Sequence, residues 1–381
     1  MGAEVTDSAG IRLVLNAFPS AEDVPHWIVG QEPRVEIGVV DGADEYQLFD
    51  VSDAVVQSDN GLVVANRGTH ELRFYDGRGR YLRSVGGEGD GPGEFRGLQF
   101  VDRFSGDSLL AFDGRHLRAS VFDRQGRFIR SYSLNSPTNP SRPSLVGVLS
   151  GGSIVIRENH PYIAGLAPTG PDRAPVPLFL SDPNGEGRDT LGVYPGVETF
   201  VLALPAERWM SVRPVTFGRR LTTAIADDRI AIAGTDSFAI RIYGSDGELR
   251  QTVRQRRVLV PIEAADITRF NDSVLSAVED PRSRQFYREM FELMPKHETF
   301  PALASIQFDR IGNLWVEEYR QPGDQRSIWQ VFDQDGHLVA RVQIPIELQV
   351  LDIGPAYLMG VVRDELGVER ILLYALDKAP T

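Results

Sequence analysis

The stretch Phe74-Tyr75-Asp76-Gly77-Arg78-Gly79-Arg80-Tyr81-Leu82-Arg83-Ser84-Val85 decides the fold. An aromatic strand end runs into an Asp/Gly turn, and a strand of alternating apolar and polar residues leaves it. Asp and Gly tolerate the positive φ that a tight hairpin turn demands. The pattern returns at Val121-Phe122-Asp123-Arg124-Gln125-Gly126, Leu180-Ser181-Asp182-Pro183-Asn184-Gly185, Ile242-Tyr243-Gly244-Ser245-Asp246-Gly247 and Val331-Phe332-Asp333-Gln334-Asp335-Gly336. A degenerate sixth copy is Leu373-Tyr374-Ala375-Leu376-Asp377. The strands leaving these turns interleave arginine with apolar residues, as in Arg127-Phe128-Ile129-Arg130. Arginine on such a strand discourages pairing with other chains and suits the outermost strand of a sheet.

Upstream of each turn, a polar or Gly turn leads into a short apolar strand. Asp59-Asn60-Gly61-Leu62-Val63-Val64, Gly151-Gly152-Ser153-Ile154-Val155 and Ile311-Gly312-Asn313-Leu314-Trp315-Val316 are examples. The result is six units of about four short strands, repeating at roughly 40 residues plus insertions, which reads as an all-β, six-bladed β-propeller. Between units, Gly87-Glu88-Gly89-Asp90-Gly91-Pro92-Gly93-Glu94-Phe95 joins an outer strand to the next inner one. Val35 to Gly42 leads to Tyr46-Gln47-Leu48-Phe49 in the same order, so Pro33 to Val40 is an outer strand without a blade of its own. The last unit, Ile346 to Asp377, lacks an outer strand. The N-terminal strand is expected to complete it and close the ring. The domain plan is an extended N-terminal segment over residues 1–32 and a propeller over 33–381.

The Gly-Pro-Gly-Glu-Phe joint and the Arg-x-x-x-Val-Phe-Asp strand end, within Gly86 to Asp123, resemble NHL-repeat propellers. The run from Asp7-Ser8-Ala9-Gly10 through Trp315 resembles a bacterial family of six-bladed propeller proteins of unassigned function. Members are often exported or lipid-anchored. The resemblance therefore implies a periplasmic or cell-envelope, extracytoplasmic setting.

Two stretches break the repeat. Arg157 to Pro177, rich in Pro, Gly and Ala, reads as a loop. Val260 to Pro295 reads as a helical hairpin inserted between blades four and five, at about 260–295. Ile267, Phe270, Val274, Leu275 and Val278 recur at helical spacing, and Asp280-Pro281 has the N-cap and first-turn residues of a second helix. Phe286, Met290, Phe291 and Met294 form its stripe.

The 381 residues carry a net charge of −13, which opposes a nucleic-acid footprint. With no cysteine, disulfides, thiolate metal sites and cysteine nucleophiles are excluded. No apolar run reaches the ~18 residues of a membrane span, so no transmembrane segment is expected. The six histidines are too far apart for a local zinc pair, and no G-x-S-x-G elbow occurs. His70 and His116 read as loop-packing residues. Gly86 to Gly93 is followed by a strand rather than a helix, so it is a joint and not a phosphate cradle. Asp333-Gln334-Asp335-Gly336 lacks the later ligands of a calcium loop and reads as a turn. Propeller lactonases hold a divalent metal in the central channel with Glu, Asn and Asp from different inner strands, and carry Glu-Gly-Pro on the first. Glu45-Tyr46-Gln47-Leu48-Phe49-Asp50 departs from that pattern. A channel metal here would fall to Asp53, Asp102 or Glu158.

One surface feature stands out on an acidic protein. Arg250, Arg254, Arg256 and Arg257 lie on or just after an outer strand, and Arg282, Arg284 and Arg288 lie near Phe286 and Tyr287 on the second inserted helix. Arginine and aromatic residues are enriched where protein partners dock. The leading expectation is therefore a non-enzymatic scaffold propeller without cofactor, metal or catalytic residues. Its expected partners are proteins, as for an extrinsic subunit of an envelope or membrane-bound complex. The alternative is a metal-dependent lactonase or hydrolase acting in the channel.

Overall fold

One carboxylate builds the repeated Asp/Gly hairpin turn. Asp76 Oδ1 accepts the N–H groups of Arg78 and Arg80 at 2.9 and 3.0 Å. Asp123 does the same for Gln125 and Arg127, both at 2.9 Å, and Asp182 for Asn184 and Glu186, both at 2.8 Å. The chain then needs a residue in the left-handed region, and glycine supplies it, with φ of 82° at Gly126 and 84° at Gly336. Gly126 is needed a second time for space. A Cβ there would lie 2.7 Å from Val85 Cγ2 and 2.9 Å from Phe74 Cζ, on the neighbouring sheet.

The computed structural model describes residues 3–18, 20, 23–134, 142–159, 171–187, 189–204 and 209–378. The protein is mostly β, in several curled sheets, and propeller-like. β1 (Glu4–Ser8) and β2 (Ile11–Asn16) form a hairpin, and β3 (His26–Ile37) follows. The first antiparallel sheet holds β4 (Val51–Val56), β5 (Leu62–Asn66), β6 (Glu71–Tyr75) and β7 (Tyr81–Gly86). The next holds β8 (Leu98–Phe104), β9 (Ser108–Asp113), β10 (Arg118–Phe122) and β11 (Phe128–Ser133). A five-stranded sheet holds β12 (Arg142–Val148), β13 (Ile154–Asn159), β14 (Asp172–Ser181), β15 (Asp189–Leu204) and β16 (Trp209–Pro214). Then come β17 (Leu221–Ala226), β18 (Arg229–Gly234), β19 (Ala239–Gly244) and β20 (Leu249–Gln255), with β2 added to β20 in parallel. Two helices follow, α1 (Ala264–Ser276) and α2 (Pro281–Leu293). The last sheet contains β21 (Ser305–Phe308), β22 (Leu314–Glu317), β23 (Arg326–Phe332), β24 (Leu338–Pro345), β25 (Gln349–Ile353), β26 (Tyr357–Arg363) and β27 (Glu369–Asp377).

β3 bridges that last sheet. It touches β24 in parallel at His26↔Arg341 and Trp27↔Val342, then runs antiparallel to β27 from Ile28↔Asp377 to Ile37↔Ile371. The strand thus begins at His26, earlier than Pro33, because its first residues find β24 to pair with. The N-terminal hairpin of β1 and β2 extends the β17–β20 sheet instead of trailing free.

The first strand of each group packs against the next, β4 on β8, β8 on β12, β12 on β17 and β17 on β21, and β25 returns to β4. Gln307 of β21 donates to the Leu351 carbonyl of β25 at 3.0 Å. The second strands are apolar on both faces for this reason. Leu62 and Val64 face a core with Met359, Val361 and Ile371, while Val63 and Ala65 face Leu98, Val101 and Leu109. Full burial of each large apolar side chain contributes ~1.5–3 kcal/mol before entropy is counted. The outer strands β7 and β11 keep one face in water.

α1 opens with a reciprocal cap between Glu263 and Asp266, and the Asp280 carboxylate caps α2 by accepting the Ser283 N–H at 2.7 Å. Their stripes, Phe270, Val274 and Leu275 on α1 and Phe286, Met290 and Phe291 on α2, pack together with Met294 against Phe200 and Val215. Two expectations need correction. Residues 157–159 and 172–177 are strand rather than loop, because β14 finds a long partner in β15; residues 160–170 lie outside the described residues. The degenerate copy Leu373–Asp377 is the end of β27 and makes no turn. The turn in this part of the chain is Asp364-Glu365-Leu366-Gly367, where Asp364 Oδ1 accepts the N–H groups of Leu366 and Val368.

Gly126→Ala should cost about 2–4 kcal/mol, from left-handed strain plus the clash with Val85 and Phe74. Gly106→Ala, at φ 66° with open space around it, should cost only about 1–2 kcal/mol. Urea unfolding of both variants measures the difference; equal losses would contradict the packing role.

Candidate functional site

The first strands enclose a channel of about 700 Å³, lined by residues of β4, β8, β12, β17, β21 and β25. Pairing between first and second strands slips by one residue at Val51/Asp53, Leu98/Phe100, Leu145/Gly147 and Val350/Asp352. Such bulges re-aim side chains. They leave polar groups on a wall that strict alternation would make apolar.

Three carboxyl groups and one guanidinium meet there. Asp53 of β4 is half-buried; its Oδ1 accepts the Ala54 N–H at 2.9 Å and its Oδ2 the Val101 N–H at 3.1 Å. Each oxygen thus has one lone pair committed to backbone and one left for a proton or ligand. Asp352 of β25 accepts the Val56 N–H at 2.9 Å and the Tyr357 hydroxyl at 3.1 Å. Asp102 of β8 accepts the N–H of Arg103 at 2.7 Å. Arg310, in the turn between β21 and β22, reaches across the channel. Its Nη2 lies 2.8 Å from Asp102 Oδ1 and its Nε 2.7 Å from Asp352 Oδ1.

Charge is unequally shared in this group. Burial opposes the charge on Arg310, but Asp102 and Asp352 outweigh it and hold the guanidinium firmly protonated. Among the described residues no cation is paired with Asp53. Burial, aided by the nearby Asp102 and Asp352 charges, raises its pKa from 3.8 to about 8, against the opposing pull of its two N–H bonds. Asp53 is therefore a carboxylic acid that keeps its proton near neutral pH.

The channel holds Asp53 and Asp102, as the sequence reading placed them. Glu158 is buried on β13 and is not among the channel-lining residues. Sequence reading missed Arg310 and Asp352. The one available signal was the recurrence of an Asp in otherwise apolar first strands, Asp53, Asp102 and Asp352, the last two at matching places. His116 bridges Asp90 at 2.9 Å and Asp113 at 3.2 Å, tying down the joint loop, and the His70 carbonyl accepts the Gly87 N–H at 2.8 Å.

The group does not fit a divalent metal, because the Arg310 guanidinium already stands between Asp102 and Asp352. Among the described residues, one trio of metal-ligating side chains converges, Asp333, Asp335 and His337. It sits on the β23–β24 hairpin, where Asp333 holds the His337 N–H at 2.9 Å and Asp335 pairs with Arg12 at 3.5 Å. A second cleft, of about 340 Å³, lies under the helices beside Phe217, Ile267, Phe291 and Met294. Its His297 is committed to Glu198 at 2.9 Å.

The arginine and aromatic residues expected to dock a partner have different fates. Arg250 is neutralised by Asp246 and Glu248, and Arg256 pairs with Glu4 at 2.8 Å. Arg257 turns inward, over the Phe18 ring at 4.8 Å, and donates to the Ala302 carbonyl at 2.8 Å. Arg284 folds back on the Val278 carbonyl. Phe286 and Tyr287 join the apolar contact between the helices. Arg254, Arg282 and Arg288 are exposed.

No family model and no curated protein matches the chain. Solved structures do. A member of the DUF4221 family from Bacteroides vulgatus is 11% identical with a TM-score of 0.54, over 94% of this chain and 100% of that one. A protein from Bacteroides fragilis described as exported is 12% identical with a TM-score of 0.50, over 96% and 100%. A gluconolactonase from Xanthomonas campestris is 12% identical with a TM-score of 0.43, over 92% and 98%. At such identity these likenesses speak to fold alone. The expectation that the chain is not an enzyme does not stand: the fold it shares with this gluconolactonase, a streptogramin B lyase and a luciferin-regenerating enzyme is one that enzymes use. That expectation rested on finding no local motif. A propeller site is assembled from strands far apart in sequence, where local motifs have no reason to occur.

Folded Asp53 binds its proton more tightly than the unfolded chain does. Its contribution to stability is therefore full below about pH 4, falls as pH rises towards about 8, and is level above. Asp53→Asn should flatten this part of the profile. Melting temperatures from pH 4 to pH 9 check it; an unchanged slope in the variant would contradict the assignment.

Proposed function

We propose that this chain is a six-bladed, NHL-like propeller enzyme that hydrolyses small lactone- or ester-type substrates in its central channel. The observation that carries this reading is Asp53, a channel carboxyl with its pKa raised to about 8, lining the same channel as Arg310. In this reading each first strand begins a blade, the helical hairpin is an insertion between blades four and five, and β3 is the outer strand that closes blade six. The β3–β27 ladder supports it.

The chemistry asks for two things. A developing oxyanion needs a fixed positive partner, and the leaving alkoxide needs a proton. Arg310 is held rigidly by Asp102 and Asp352 and offers its remaining N–H donors to a substrate carbonyl oxygen. An ordinary carboxyl would be ionised at pH 7 and have no proton to give; Asp53 retains one. Water adds to the carbonyl carbon, the acyl carbon–oxygen bond breaks, and the Asp53 proton passes to the alkoxide. The proton released by the attacking water restores Asp53, so acid and alcohol form with atoms balanced.

A panel of lactones and carboxylic esters tests this. Turnover should fall by about 10²–10⁴-fold in Asp53→Asn and about 10²–10³-fold in Arg310→Gln. In the wild type it should decline above about pH 8, as Asp53 loses its proton. Turnover that survives Asp53→Asn, or none across the panel, would contradict the reading.

An extracytoplasmic setting and a protein partner complete the proposal. The exported protein from Bacteroides fragilis, at a TM-score of 0.50, supports the first, and the exposed cations Arg254, Arg282 and Arg288 on an acidic chain support the second. Envelope fractionation with cross-linking should recover the chain outside the cytoplasm, joined to a partner near residues 250–290. Arg254→Glu, Arg282→Glu and Arg288→Glu together should abolish that cross-link; cytoplasmic recovery or an unaffected cross-link would contradict it.

A further inference from the structure

We infer that the Arg310 guanidinium is the channel's own cation, filling the role that a divalent metal would otherwise take among the first-strand carboxylates, so that the site works without a metal. This rests on the channel as the working site, but not on which reaction occurs there.

The geometry supports it from both ends of the side chain. The turn that carries Arg310 is unusually fixed. Asp309 is fully buried and accepts from the N–H groups of Ile311 and Asn313, from Asn313 Nδ2, from Trp315 Nε1 and from Lys378 Nζ. The Arg310 N–H is itself bonded to the Ile353 carbonyl at 2.8 Å. At the other end, Asp102 lies two strand groups away along the wall from Asp352, with Asp53 on the strand group between them. Arg310 therefore spans the arc, bonding both flanking carboxylates at 2.8 and 2.7 Å. A planar fork of donors suits two separated carboxylates. A hard divalent ion instead needs its oxygen ligands converging at about 2.0–2.6 Å. Among the described residues, no trio of ligating side chains converges in the channel.

The carboxylates are held in place by other bonds as well. Val56 N–H and the Tyr357 hydroxyl fix Asp352, and Arg103 N–H fixes Asp102. With the guanidinium removed, Asp102, then held by a single N–H, can turn towards the fixed Asp352, and the two should close on a divalent ion taken up from solution.

The test uses the full chain, with calcium and manganese chloride as probes against sodium chloride at matched ionic strength. Calorimetric titration, manganese paramagnetic resonance and melting temperature are the readouts. The wild type should bind neither ion in the channel and show no divalent-specific shift. Arg310→Met should bind one ion per chain, and millimolar calcium should raise its melting temperature by roughly 5 °C. Adding Asp352→Asn should weaken that binding at least tenfold. One ion bound by the wild type, with affinity lowered tenfold by Asp102→Asn or Asp352→Asn, would overturn the inference even if Arg310→Met failed to fold. So would a folded Arg310→Met variant that binds neither ion. Because the readout is cation binding, the inference can fail while hydrolysis stands, and can hold for a chain that hydrolyses nothing on the panel.

Discussion

The pairing of β3 with β27 is the constraint on which the rest depends. It joins residues 28–37 to residues 371–377, a contact that spans almost the whole chain. Without it β27 would be an open edge, with unpaired N–H and C=O groups inviting other chains. The core of Val35 and Ile37 with Met359 and Ile371 would open with it. The channel would go too, because two of its supports cross this seam. Asp352 accepts the Val56 N–H, and Glu369 accepts the Val51 N–H at 2.7 Å. Closing so long a loop costs chain entropy, but the cost grows only slowly with length. The buried apolar seam of Val35, Ile37, Met359 and Ile371 acts against that cost.

The site inherits its chemistry from that closure. Asp352 comes from the last strand group, Asp53 and Asp102 from the first two, and Arg310 from the group before the last. Three carboxyl groups brought together by a closed ring cannot all be ionised cheaply. The guanidinium satisfies the outer two and the middle one keeps its proton. An acid and a fixed cation in one channel are thus a consequence of packing first strands that each carry an isolated polar residue around a common wall, and need no local motif.

This division explains what was legible in the sequence. The turns were, because Asp76, Asp123 and Asp182 act on backbone groups two and four residues away, and Gly126 and Gly336 answer to their own φ. The cap of the second inserted helix, Asp280, was legible for the same reason. Arg310 was not: it sits in a turn whose visible features, Gly312 and Asn313, serve the fold, and its partners lie 208 and 42 residues away. Arg257 and Arg284 misled in the opposite direction. Both look like surface charge in the sequence, and both turn inward once Phe18, Ala302 and Val278 are in place. The docking of β2 on β20 depends on an edge that exists only in the folded sheet.

The measurement that bears most directly on this account is the titration of the Asp53 carboxyl itself, followed by carbon-13 resonance in protein labelled at aspartate and assigned with Asp53→Asn. The account predicts a midpoint near 8. A midpoint in the ordinary range, near 3.8, would mean that Asp53 is a charged wall residue and that the channel holds no acid to donate.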